Sequence, residues 1–211
     1  SFRCSQACVF YRSNLGSHFT HAWEQRKLGD IGSFFYGGGT PNTNNSIFWN
    51  GSIPWLQSSD LSEDQVLDTV VRKHISKDGL ENSAAKLIPR NSIAIVTRVG
   101  LGKVSLISYD YSTSQDFLSI SELNIDKLFG AYVISDLMKK ESRLAQGTSI
   151  KGITKNEVLE KLIFTPSLKE QTAIGNFFRQ LDAAIASHQR KPVHQKVSKI
   201  KQADTISACC R

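Results

Sequence analysis

Residues 93–108 read IAIVTRVGLGKVSLIS, and this stretch decides which kind of fold the chain can form. Two runs rich in aliphatic and β-branched residues, 93–99 and 103–108, flank Gly100-Leu101-Gly102. Apolar runs on both sides of a glycine turn predict a β-hairpin. A further strand is predicted at residues 116–120, and two short extended pieces are predicted within residues 47–56, around an Asn-Gly turn. The middle of the chain is therefore expected to be mainly β.

Helical patterns begin after this β-rich part. Asn124 precedes apolar residues at helical spacing up to Leu137, which predicts a helix with Asn124 as its N-cap. Thr154 is followed three residues later by Glu157, which is the pattern of a capping box and predicts a short helix there.

A second capping-box pattern, Ser167 with Glu170, predicts a long helix over residues 168–191. Its apolar residues recur at steps of three and four, which is the spacing of a helix face that packs against another helix. The predicted helix-interface residues are Ile174, Phe177, Leu181 and Ile185.

The predicted fold class is α+β, a mixed α/β arrangement: a mainly-β domain with short helices, followed by a long C-terminal helix that packs as a coiled-coil spacer. Residues 1–22 are interpreted as a leader or flanking segment and residues 23–166 as the domain. The long helix follows at 167–191, and the basic tail at 192–211 is expected to be disordered.

Composition places the chain among folded proteins. Of its 211 residues, 40% are hydrophobic and 21% charged, and no apolar run approaches the length of about 18 residues that a membrane span needs. The first 22 residues lack a signal-peptide layout, and the four cysteines stand at the two extremities, so free thiols and a cytoplasmic location are expected.

The net charge of +7 is unevenly distributed along the chain. Residues 185–211 carry six Lys/Arg against one Asp, whereas the other residues carry 20 against 18. The domain itself is nearly neutral, so total charge favours nucleic-acid binding only weakly.

Sequence signatures of catalysis are missing. The Gly100-Leu101-Gly102-Lys103 turn lacks the first glycine and the final Ser/Thr of a Walker loop, since Thr97 and Val104 stand there. The five histidines are scattered, no Cys-x-x-Cys occurs, and no Gly-x-Ser-x-Gly is present. No catalytic residue and no metal ligand is therefore predicted.

Several motifs, taken in order, resemble a target-recognition domain of the specificity (S) subunit of type I restriction-modification enzymes. The motifs that carry the resemblance, from residue 23 to about 191, are WEQRKLGD (23–30), GGTP (38–41), Trp49 with IPW (53–55), RVGLGKV (98–104), QGTSIKGI (146–153) and PSLKEQTAI (166–174) followed by Leu181-Asp182.

This resemblance implies a non-catalytic module that reads double-stranded DNA. In the family, a full S subunit contains two such units whose helices pack antiparallel as a spacer between the halves of a bipartite target. The resemblance also implies DNA methyltransferase (M) subunits and a restriction (R) subunit as partners, with S-adenosylmethionine, ATP and Mg²⁺ held by those partners and no cofactor in this chain. A homodimer or a second recognition domain would meet this chain through the long helix.

Candidate DNA contacts are polar or cationic residues on the predicted loops, because base edges and phosphates are read by such groups. They are Thr40, Asn42, Gln57, Ser58, Arg98, Lys103, Ser149 and Lys151. Arg98 and Lys103 are the strongest of these, since two cations beside a glycine turn suit a phosphate or a guanine. The three tryptophans are interpreted as packing residues.

Two other functions stay open on the sequence alone. The chain would also fit the recognition part of a fused restriction-methylation enzyme whose catalytic portion lies elsewhere. The near-neutral charge of the domain would fit a protein-interaction module that does not bind DNA.

Overall fold

The computed structural model describes residues 23–67, 69–145 and 152–190. They form nine strands, four α-helices and three 3-10 turns. The strands are β1 (Glu24–Lys27), β2 (Gly32–Gly37), β3 (Ile53–Leu56), β4 (Lys73–Ile75), β5 (Ser92–Val96), β6 (Val104–Ile107), β7 (Ser112–Thr113), β8 (Phe117–Leu123) and β9 (Leu162–Thr165). The helices are α1 (Lys77–Glu81), α2 (Lys127–Ala145), α3 (Lys155–Leu159) and α4 (Leu168–Arg190), and the 3-10 turns are Leu28–Asp30, Ser46–Trp49 and Ser58–Asp60.

An antiparallel sheet of four strands, in the order β2-β8-β5-β6, is the centre of the fold. The predicted hairpin is confirmed, with β5 and β6 paired from Ser92 opposite Ile107 to Ile95 opposite Val104. All residues of β5 and β6 are buried, which explains why both strands read as unbroken runs rather than as an alternating pattern. The strand predicted at residues 116–120 is confirmed as β8.

Two smaller sheets complete the β structure. In one, β3 lies between an antiparallel β4 and a parallel β7. In the other, β1 pairs antiparallel with β9, with Glu24 opposite Thr165. The first strand of the described chain is thereby joined to the last strand before the long helix.

The main core lies under the central sheet and includes Leu56, Ile107, Tyr111 and Phe117. Tyr111 is fully buried, and its hydroxyl group donates to Ser119 Oγ at 3.1 Å, which satisfies the one polar group of that ring. Helix α2 packs against β5 and β6. The mixed α+β class expected from the sequence is confirmed.

The prediction of two extended pieces within residues 47–56 is half wrong. Residues 53–56 are a strand, but Ser46–Trp49 form a 3-10 turn. The Asn45 side chain accepts a hydrogen bond from the Ile47 N–H, so a local polar contact caps the turn. Ile47 remains 63% exposed, so no packing in a sheet competes with that cap.

The predicted N-cap of α2 is also wrong. Asp126, not Asn124, accepts from the backbone N–H groups of Leu128 and Phe129, both at 3.0 Å. Asn124 instead joins the start of the domain to β8: its amide donates to the Asp30 carbonyl at 2.7 Å and accepts from Arg26 at 3.0 Å. Both residue types can cap a helix, and they stand only two positions apart.

The predictions of a short helix after Thr154 and of a long helix from Leu168 are confirmed. Thr154 and Glu157 form the expected capping box at the start of α3, and α4 spans Leu168–Arg190. The described residues form two compact units, one ending at Gly175 and the other beginning at Asn176. The unit that ends at Gly175 is called the main domain below.

Candidate nucleic-acid interface

Several loops of the main domain meet at the end of the central sheet where β5 stops and β8 starts. The N–H and the hydroxyl group of Thr97 both donate to the Asp116 carbonyl, at 2.8 and 3.0 Å. The N–H of Ile153 donates to the Thr97 carbonyl at 2.8 Å. Three segments that are distant in sequence are thus joined next to Arg98.

The glycine loop that follows β2 enters the same region. The Gly39 N–H donates to the Thr113 carbonyl at 2.9 Å, and the Trp55 indole N–H donates to the Gly39 carbonyl at 3.0 Å. A Cβ atom on Gly38 would overlap the backbone of Thr113, and one on Gly39 would lie 2.6 Å from the Ala85 nitrogen. This part of the glycine run therefore exists because two backbone segments pass too close for a side chain.

Thr40 follows these glycines and reaches the loop before β8. Its hydroxyl group donates to Gln115 Oε1 at 2.7 Å. Gln115 is exposed, and the backbone on both sides of it is held: Ser114 N–H donates to the Leu56 carbonyl at 3.0 Å, and the Asp116 carbonyl accepts from Thr97. Gln115 was not among the residues proposed from the sequence, because its significance depends on this long-range contact.

The turn between β5 and β6 contacts the loop that follows β3. Gly100 and Gly102 have φ values of +88° and +105°, which only glycine adopts readily. The Lys103 ammonium donates to the Ser58 carbonyl at 3.0 Å. Ser58 opens a 3-10 turn that is capped by Gln57. The structure thus brings together three of the predicted site residues, Gln57, Ser58 and Lys103.

Arg98 lies beside this turn and is exposed. Among the residues that the structure describes, its guanidinium group has no hydrogen-bond or ion-pair partner. Its carbonyl accepts from the Leu101 N–H at 3.0 Å, which keeps the backbone of the turn fixed. The side chain is therefore an exposed cation on a backbone that is held in place.

The other predicted site residues are less centrally placed. Asn42 is exposed, and its side chain and carbonyl bind Asn44 N–H and the Trp49 indole within the same segment. Ser149 and Lys151 lie outside the described residues. The nearest described residue, Gly152, packs against the backbone of Thr97 and Arg98.

The tryptophans behave largely as packing residues. Trp55 is buried, and the Trp49 ring packs edge-on against it with 4.9 Å between ring centroids. The Lys73 ammonium lies 5.5 Å from the Trp49 centroid and 5.9 Å from that of Trp55, a cation–π arrangement. The prediction that tryptophans serve packing is confirmed for Trp55.

Titratable groups near the interface include Tyr109 and Asp60. Burial raises the pKa of Tyr109 above its ordinary value, and the nearby Asp60 carboxylate raises it further. The Tyr109 hydroxyl group therefore stays neutral and donates to the Thr69 carbonyl at 3.0 Å. Asp60 itself accepts from the Gln57 N–H at 3.0 Å and so helps to hold the loop after β3.

The residues proposed for the helix interface differ in exposure. Ile174 is buried, being only 6% exposed, so its surface is already used inside the main domain. Phe177 and Leu181 are 43% and 37% exposed, and Ile185 is half-buried. An association through α4 stays a prediction.

Within the described ranges, no cluster of three or more His, Cys, Asp or Glu side chains is arranged to bind a metal ion. No described helix combines the length and the apolar character that a membrane span requires.

Comparison with known families finds one that covers most of the chain. Residues 21–194 match the family described as the type I restriction modification DNA specificity domain.

Curated relatives belong to the same kind of protein. The chain is 33% identical over 183 residues to the type I restriction enzyme EcoR124I/EcoR124II specificity subunit of Escherichia coli, with 82% of this chain and 44% of that protein covered. It is 26% identical over 176 residues to the type I restriction enzyme MjaIX specificity subunit of Methanocaldococcus jannaschii, with 80% and 40% covered. The chain thus spans less than half the length of these relatives.

Solved structures share the fold. The HsdS subunit from Thermoanaerobacter tengcongensis superposes with a TM-score of 0.62 at 18% identity, covering 90% of this chain and 46% of that one. A chain from a study of complex assembly and conformational transition of the type I R-M system gives a TM-score of 0.67 at 17% identity, covering 94% and 48%.

Proposed function

The chain belongs to the type I restriction modification DNA specificity family, and from this membership we propose that it reads one half-site of a bipartite DNA target. It does so without catalysis, as the specificity component of a restriction-modification system. The observation that carries the proposal is the meeting of the glycine loop, the β3 loop, the β5–β6 turn and the loop before β8 at one end of the central sheet.

Such an arrangement suits DNA reading because specificity requires hydrogen-bonding groups held at fixed positions against base edges. The loops are fastened to one another largely through backbone groups, which leaves the side chains of Gln115 and Arg98 at the surface. We propose that Arg98 binds a guanine or a phosphate, since its planar guanidinium group can donate two hydrogen bonds to either one.

Lys103 has a double role in this proposal. An ammonium group has three donors, and one of them is used on the Ser58 carbonyl. The other two remain for a phosphate, so the same side chain fastens the loop and sets its register on the backbone of the duplex. Thr40, Asn42, Gln57 and Ser58 are further proposed contacts or supports, and Ser149 and Lys151 complete the set outside the described residues.

Partners supply the chemistry in this proposal. Methyltransferase subunits would bind S-adenosylmethionine and modify the target, and a restriction subunit would use ATP and Mg²⁺ to translocate and cleave in the cytoplasm. The long helix α4 would join this unit to a second recognition domain, either in another copy of the chain or in a longer subunit.

The test is co-expression of the full chain with its methyltransferase, followed by methylome sequencing. The expected result is methylation at one bipartite motif. Arg98→Ala should change the bases of a single half of that motif, whereas Arg90→Ala, an exposed arginine before the opposite end of β5, should leave it unchanged. Genomic DNA without any sequence-defined methylation would refute the proposal.

A further inference from the structure

A second cation adjoins the 3-10 turn that Lys103 holds. The Arg72 Nε atom lies 3.5 Å from Asp60 Oδ1, and Asp60 is the last residue of that turn. The Lys103 ammonium donates to the carbonyl of Ser58, which is the first residue of the same turn. Arg72 therefore lies in the part of the candidate interface that Lys103 and the loop after β3 form.

The carboxylate that faces Arg72 is buried. The Asp60 side chain has no exposed surface. Its Oδ2 accepts from the Gln57 N–H at 3.0 Å, whereas its Oδ1 has no hydrogen-bond partner among the described residues. A buried carboxylate is costly unless a cation lies beside it. Its attraction therefore keeps the Arg72 guanidinium group at the turn.

Most of the Arg72 side chain nevertheless faces the solvent, since it is 71% exposed. The Nε atom is the one that lies near Asp60. The two terminal nitrogen atoms carry four further N–H donors, and no residue in the described part of the chain accepts from them. Two of these donors can bind one phosphate in parallel.

The backbone on both sides of Arg72 is held in place. Val71 packs against the main core. Lys73 lies opposite Trp55, where β4 pairs with β3. Arg72 is thus presented to the solvent from a defined position, as a contact to DNA requires.

We propose that Arg72, which is absent from the contacts assigned above, binds the sugar-phosphate backbone of the DNA next to Lys103. The two cations attach to the two ends of one 3-10 turn, which are about 4 Å apart at about 2 Å per residue. Successive phosphates of one DNA strand are about 3.4 Å apart along the axis, so the two charges suit neighbouring phosphates. The inference rests on the function proposed above.

The test is a salt series of DNA binding by the full chain assembled with its methyltransferase. Arg72→Gln removes the charge but keeps an amide that can donate to the Asp60 carboxylate, and Arg72→Lys keeps the charge. Arg90→Gln is the matched control, since it removes the charge of an exposed arginine before the opposite end of β5. Each complex is titrated with a duplex that carries the methylated motif and with one whose half-site is scrambled, and the melting temperature of each chain is measured.

The expected result is a smaller salt dependence for Arg72→Gln. Each phosphate contact contributes about 0.9 to the slope of log affinity against log salt. From about 50 to about 200 mM salt, the ratio of the original affinity to the variant's affinity should therefore shrink about three- to fourfold. The loss should be equal on both duplexes, because phosphates carry no sequence information. Arg72→Lys and Arg90→Gln should keep the original slope.

A second measurement perturbs the DNA and leaves the protein unchanged. In a set of target duplexes, a neutral methylphosphonate replaces one phosphate at a time. One position in the half-site should weaken binding of the original chain and of Arg72→Lys but leave binding of Arg72→Gln unchanged, because the contact is already missing there.

Two outcomes would overturn the inference alone. One is an original salt slope in Arg72→Gln, even with a lower melting temperature, which would mark a purely structural ion pair with Asp60. The other is a neutral-phosphate scan in which the original chain and Arg72→Gln respond alike at every position. An original complex that binds both duplexes equally would instead refute the proposed function, and one that binds neither would refute both.

Discussion

Replacing Gly39 by alanine should strongly destabilise the main domain. The added Cβ would overlap the backbone of Ala84 and lie 2.6 Å from the Ala85 nitrogen, and backbone atoms cannot move aside cheaply. Overpacking of this kind costs about 1–3 kcal/mol. The shift also strains two hydrogen bonds, from Gly39 N–H to Thr113 and from Trp55 to the Gly39 carbonyl, each contributing about 0.5–1.5 kcal/mol.

A total near 3 kcal/mol corresponds to a loss of about 6–12 °C in melting temperature for a domain of this size. Gly37→Ala is the control, because a Cβ atom there meets no atom within 4 Å. Thermal unfolding followed by circular dichroism measures both. If Gly39→Ala and Gly37→Ala melt at the same temperature, the close backbone approach does not explain the glycine run.

Three further results are expected. If the Arg98 side chain donates two hydrogen bonds to one base, Arg98→Ala should weaken binding of the assembled complex to its target by about 1–3 kcal/mol, as measured in a gel-shift series. Equal affinity of the variant and the original chain would exclude Arg98 from the binding site. Lys103→Met should lower the melting temperature by about 2–4 °C, because it removes a hydrogen bond to Ser58 that contributes about 1 kcal/mol. The same variant should reduce the salt dependence of DNA binding by about one charge, and an unchanged salt slope would exclude the phosphate contact. Hydrogen bonds from the Thr154 side chain and, to a smaller extent, from its backbone hold the pKa of Glu157 below its ordinary value. The capping box should therefore be intact above the ordinary value and be lost as pH falls through the lowered pKa. NMR titration of the carboxyl carbon measures this, and Thr154→Ala should raise the midpoint toward its ordinary value, because the backbone hydrogen bond remains.

The hairpin and the long helix could be predicted because short-range patterns determine them. Apolar runs around a glycine turn leave few alternatives to β5 and β6, and the stripe from Ile174 onward suits only a helix. The turn at Ser46–Trp49 was missed because the Asn45 side chain outcompetes the strand preference of its neighbours.

The candidate interface could be predicted only as a set of loop residues. Thr40 and Gln115 are 75 positions apart, and they meet because β2 pairs with β8 in the central sheet. Strand order depends on the packing of the whole domain, so no local pattern indicates this pair. The same holds for Ser58 and Lys103, which are 45 positions apart.

The backbone fastening of the loops has an evolutionary consequence. Where main-chain groups carry the connections, replacement of the outward Arg98 guanidinium group breaks none of them. On the proposed function, the target sequence could therefore change through exchanges of such surface side chains, while the backbone connections between the loops stay in place.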